Sequence, residues 1–114
     1  MDPVSAIIIN KALDGLSMRS QATAENIANA NSRGFRPVRV TFEDSLRAAA
    51  SAGPDAIRQV TPRIDREPSV AAGNEMRLDL ELATASQTAM RYAALLDLLG
   101  RQIQIRRTAI TGGQ

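Results

Sequence analysis

The chain has 114 residues, a size that buries only a modest core, and 3% of them are aromatic: Phe35, Phe42 and Tyr92. Its formal charge is +2, its single lysine is Lys11, and thirteen of its fourteen basic residues are arginine, interspersed with acids rather than gathered into a positive footprint. Cysteine and histidine are both absent. That composition excludes disulfides, thiol chemistry, cysteine metal sites and the usual general base, and leaves carboxylates, Tyr92 and Lys11 for any acid–base chemistry. No cofactor and no small-molecule substrate is expected. Apolar runs such as Ala6-Ile7-Ile8-Ile9 are far short of the roughly 20 residues that span a bilayer. Asp2 at the start and the lack of a long apolar stretch argue against a cleavable signal peptide.

An alanine-rich, aliphatic composition suits an all-α fold of long helices meeting along seams. The first helix is predicted over 3–31, with Asp2 set to cap it and Pro3 preset for its first turn. Ala6, Ile9, Leu13, Leu16, Ser20, Thr23, Ile27 and Ala30 follow the alternating three–four spacing of a coiled-coil seam. Gly15 lowers helix propensity by about 1 kcal/mol relative to alanine, so this helix is expected to depend on partners. Asn31-Ser32-Arg33-Gly34 ends it, glycine accepting left-handed backbone, and Pro37 cannot continue it.

Val38 to Val40 suits a short extended piece. Thr41-Phe42-Glu43-Asp44 has the form of a capping box opening a short helix that reaches about residue 50. Residues 51–73 hold three of the five prolines (Pro54, Pro62, Pro68) and no sustained periodicity, so they read as an irregular linker. An extended pairing through Ile57, Val60 and Ile64 is open to them in an assembly.

The last helix is predicted over 74–110, capped by Asn74 with Glu75 at its positive end, and stopped by Gly112-Gly113. Leu78, Leu82, Ala85, Ala89, Tyr92, Leu96, Leu99, Ile103 and Ile110 make its seam, interrupted only by Arg106. At 1.5 Å per residue it is about 50 Å long, too long for a compact domain of this size. Leu95, Leu98, Ile105 and Ala109 form a second apolar line, a width that suits a multi-helix assembly. The expected organisation is thus 1–50 (helix, turn and short helix), 51–73 (linker) and 74–114 (second long helix), the two long helices packing as a coiled coil.

The stretch Ala24-Glu25-Asn26-Ile27-Ala28-Asn29-Ala30-Asn31-Ser32-Arg33-Gly34-Phe35, with Gln21 upstream, resembles the N-terminal signature of flagellar axial proteins, the rod, hook and hook-associated family. That family shows Asn-Ile/Leu-Ala-Asn followed by a Thr-Pro-Gly-Tyr/Phe turn; Ser32-Arg33 stands here for Thr-Pro, with Gly34-Phe35 in register. The C-terminal half, with Gln87, Arg91-Tyr92, Leu95, Leu98-Leu99-Gly100-Arg101 and Arg107-Thr108-Ala109-Ile110, is similar to the small proximal rod class. The resemblance implies a non-enzymatic subunit exported uncleaved by the flagellar type III apparatus. Its expected partners are copies of itself, other rod proteins, and membrane-ring and rod-base components of the basal body. The expected motif residues are Gln21, Asn26, Ile27, Ala28, Asn29, Gly34 and Phe35. The expected assembly seam is Ile9, Leu13, Leu16, Ile27, Leu82, Tyr92, Leu96, Leu99 and Ile103.

The residues allow two other readings. Arg33, Arg36, Arg39 and Arg47 could contact nucleic-acid phosphates, against which stand Glu43, Asp44 and the shortage of stacking aromatics. Asp79 and Glu81 could serve an enzyme, but two residues apart on a helix they point to different sides.

Overall fold

The computed structural model describes residues 2–68 and 77–112. Its elements run α1 (Pro3–Ala28), β1 (Val38–Thr41), α2 (Glu43–Ala52), α3 (Pro54–Gln59), β2 (Arg63–Arg66) and α4 (Leu78–Gly112). The chain is mostly helical, and its two long helices pack against one another. It is not all-α: β1 and β2 form an antiparallel pair in the register Val38↔Arg66, Arg39↔Asp65, Val40↔Ile64 and Thr41↔Arg63.

The start of α1 follows from its first residues. Asp2 accepts the Ser5 amide at 2.7 Å and the Ser5 hydroxyl at 3.2 Å, satisfying a donor that the first turn leaves free. At the other end the helix stops at Ala28, three residues short of the expected Asn31, because Asn29 caps it. The Asn29 amide and side-chain nitrogen both donate to the Glu25 carbonyl, at 3.1 and 2.9 Å. The chain then turns through Ser32 and reverses at Gly34, whose φ is +75°.

The expected Thr41 cap is not formed. Thr41 is the last residue of β1 and is held extended by pairing with Arg63, so α2 begins after Phe42, whose amide donates to the Glu43 carboxylate at 3.3 Å. Residues 51–68 are also more ordered than expected. They finish α2 at Gly53 (φ +114°), then build α3 on Pro54, and then β2. Ile57, with no exposed surface at all, anchors α3 in the core, and Lys11 donates to the Val60 carbonyl at 3.1 Å. Asn74 and Glu75, the expected cap of the last helix, lie outside the described residues.

The core lies on one side of α1, where Leu16, Ala22, Val38, Val40, Phe42, Leu46, Ala49 and Ile57 pack together. Gly15 permits this closeness: the Phe42 ring lies so near its backbone that any Cβ there would be 2.4 Å from the ring. Here the weak helix former has a packing purpose. The other side of α1 meets α4, which buries little: only Glu81 and Thr88 of α4 are fully covered. The radius of gyration is 18.0 Å, against about 13 Å for a compact domain of this length. Accessible surface is 7877 Å², where about 6,100 Å² is usual for this mass. A long helix covered on one side contributes to that surplus.

Candidate functional site

Asn26 is the centre of the region where α1, the turn and α4 meet. It is 0% exposed. Its side-chain oxygen accepts the Val38 amide at 2.7 Å, and its side-chain nitrogen donates to the Val38 carbonyl at 2.9 Å and to Glu81 at 3.1 Å. A carboxamide presents one acceptor and two donors, and here all three positions are used. It thus takes the place of a neighbouring strand for β1 and fixes where the chain returns after the Gly34 turn. Phe35 lies half-buried in that turn, with the Arg66 guanidinium 5.7 Å from its ring centroid, and Arg66 also reaches Glu25.

Glu81, 1% exposed, joins this centre to α4. Its second partner is Arg39 of β1, at 2.5 Å, and Arg39 in turn binds Glu67 at 2.7 Å. Burial works to lower the Arg39 pKa, but the hydrogen bonds and charges of Glu81 and Glu67 prevail and hold it above its ordinary value. A buried carboxylate kept between a guanidinium and an amide donor is a fully satisfied contact, and one that specifies a single rotation of α4 about its axis.

A second polar contact ties α1 to the start of α2. Arg19 donates to both oxygens of Glu43 at 2.7 Å and to the Val40 carbonyl at 2.8 and 3.2 Å, with its guanidinium 5.0 Å from the Phe42 ring centroid. These hydrogen bonds from Arg19 pull the Glu43 pKa down to about 2. Arg91 of α4 approaches the same carboxylate at 3.9 Å.

The expected motif residues divide accordingly. Asn26, Asn29, Gly34 and Phe35 build the helix end and turn; Ile27 is partly covered; Gln21 and Ala28 are exposed. On α1 the expected seam residues Ile9, Leu13 and Leu16 are buried. On α4 the seam divides. Tyr92, Leu95 and Leu99 are partly covered, in line with Glu81 and Thr88, whereas Leu82, Leu96 and Ile103 stand 53%, 47% and 48% exposed. The stripe facing α1 shares Ala85, Tyr92 and Leu99 with the expected one and is turned from it by about 45° around the helix axis. Leu82, Ala89, Leu96, Ile103 and Ile110 recur every seven residues along α4 on a line that the described residues leave open. Beside it runs a groove between Leu16, Ser17, Ser20 and Gln21 of α1 and Ala89, Tyr92 and Leu96 of α4.

Glu81 is a structural residue that an apolar stripe does not reveal. The spacing Glu81, Ala85, Thr88, Tyr92, Leu95, Leu99 carried the signal. The two carboxylates weighed for an enzyme stand in different settings: Asp79 is exposed and bound to Arg77 at 2.7 Å, while Glu81 is buried against Arg39 and Asn26. No described helix is long and apolar enough to cross a membrane. Against known proteins, no family model matches the chain and no curated protein matches it.

Proposed function

We propose that this chain is a structural subunit of the proximal rod of the bacterial flagellar basal body, of the FlgB type rather than its small sibling FlgC. The observation that carries the proposal is the line Leu82, Ala89, Leu96, Ile103 and Ile110, repeating every seven residues, which the described residues leave exposed on a 35-residue helix. Such a line is what a helix needs to join a second seam while its first is occupied. Around it the Asn26 contact and the Gly34 turn hold β1 and β2 at a set position on α1, so that each copy can offer its neighbours the same surfaces.

In this reading the chain is exported without cleavage by the flagellar type III apparatus and assembles in the periplasm with copies of itself, other rod proteins and the ring and base components. Its work is mechanical, requiring no cofactor. The nucleic-acid reading draws less support, because Arg36 donates to the Glu67 carbonyl, Arg39 binds Glu67 and Glu81, and Arg47 binds Asp44. Phosphates would have to compete with those partners. The test is removal of the gene from its own bacterium and its return in trans. The expected outcome is loss of rod, hook and swimming, all restored by the returned gene. Assembled, rotating flagella in its absence would overturn the proposal, and strongly salt-dependent binding to nucleic acid would favour the other reading.

A further inference from the structure

The ladder between β1 and β2 has a definite alternation. Glu67 donates its amide to the Pro37 carbonyl at 2.9 Å, one step beyond the pair Val38↔Arg66. Hydrogen-bonded pairs alternate with non-bonded ones in an antiparallel ladder, so Arg39↔Asp65 and Thr41↔Arg63 carry the bonds. The backbone groups of Val38 and Val40 then face away from β2, and there Asn26 and Arg19 of α1 meet them. One edge of the sheet is therefore closed by side chains. By the same alternation the amides and carbonyls of Ile64 and Arg66 face outward from β2, where no described residue bonds them. Every residue of β2 is exposed, Ile64 by 57%.

From this edge we infer that β2 pairs with β2 of a second copy of the chain, antiparallel and about a two-fold axis at Ile64. Charge on an edge strand ordinarily blocks such pairing. Here the order Arg63-Ile64-Asp65 is its own complement. With Ile64 opposite Ile64, each Arg63 faces the Asp65 of the other copy, so both flanking pairs are attractive. Ile64 exchanges both backbone bonds with its counterpart, and each Arg66 amide meets the opposite Pro62 carbonyl. The neighbouring registers are poorer. Centred on Asp65 the pairing sets two carboxylates face to face at the closest cross-strand distance, and centred on Arg63 it opposes two guanidiniums. The contact is isologous and closes on itself, so it belongs to the chain outside a polar tube and goes beyond the rod proposal.

The test is analytical ultracentrifugation of the full chain over a range of concentrations. The parent is expected to dimerise reversibly. Arg63→Asp and Asp65→Arg should each weaken the dimer about tenfold or more, since each turns both flanking pairs repulsive, and an equimolar mixture of the two should restore it. Ile64→Pro should also remove it while keeping the fold by circular dichroism, because the lost amide faces away from β1. Leu96→Asp, acting on α4, should leave the dimer intact, which separates this contact from assembly along the helix. A parent that stays monomeric overturns the inference. So does a dimer indifferent to Ile64→Pro, or single charge variants that fail to recover on mixing.

Discussion

Replacing Gly15 with alanine places a methyl carbon 2.4, 2.5 and 2.6 Å from Cδ1, Cε1 and Cγ of Phe42. Carbon atoms rest at about 3.5–4.0 Å, so the ring must retreat by roughly 1 Å or more. It has little room, being buried between α1, Val40 and Leu46 with Arg19 over its face. Overpacking of this kind costs about 1–3 kcal/mol, and displacing the ring from Arg19 adds about 0.5–1 kcal/mol. Against this, alanine is better than glycine in a helix by about 1 kcal/mol. The balance is a loss of about 0.5–3 kcal/mol, seen in a domain of this size as a fall in Tm of about 2–12 °C. Urea and thermal unfolding followed by circular dichroism would measure it. Phe42→Leu in the same chain should relieve the clash, so that the double variant is less destabilised than the sum of the two singles. A Gly15→Ala protein about 1 kcal/mol more stable than its parent would refute the reasoning, since only the helix-propensity gain would then remain.

Asn26→Ala should cost about 2–4 kcal/mol in urea unfolding, because it leaves the Val38 amide and carbonyl without partners and takes a donor from Glu81. Asn26→Asp should do no better, as it cannot donate and adds a negative charge beside Glu81. Gly34→Val should cost about 1–3 kcal/mol through backbone strain alone, since a Cβ there meets nothing within 4 Å while φ is +75°; Gly34→Asn should be milder by the same assay. Glu43 is depressed from an ordinary pKa of 4.5 to about 2, so its folded-state contribution is complete above the ordinary value and is lost as pH falls through about 2. Glu43→Gln should flatten the acid limb of a stability–pH profile across that window.

The sequence is legible where local chemistry decides the outcome. Asp2 and Pro3 mark the start of α1, and Gly34 takes the left-handed backbone expected of it. What the residues did not disclose is set by distant partners. Residues 54–66 look irregular because their order comes from the burial of Ile57 and from pairing with β1, neither of which leaves a periodic pattern nearby. Thr41 looks like a helix cap, but its place in the β1–β2 ladder prevails over that preference. Which side of α4 faces α1 is not legible in the apolar pattern, because a buried Glu81, answered by Asn26 and Arg39, turns its own face inward. That orientation leaves the heptad line at Leu82, Leu96 and Ile103 open among the described residues.

The rod proposal rests on that open line, and Leu96→Asp in the source bacterium tests it most directly. Leu96 is 47% exposed in the single chain, so the change should alter the stability of the isolated protein by no more than about 0.5 kcal/mol. Within a helix assembly the same carboxylate would be buried without a partner, a cost of several kcal/mol at each repeated contact. The account predicts normal expression, normal folding and continued export of the variant, with no assembled rod and no swimming. A strain carrying Leu96→Asp that builds rods and swims normally would contradict it.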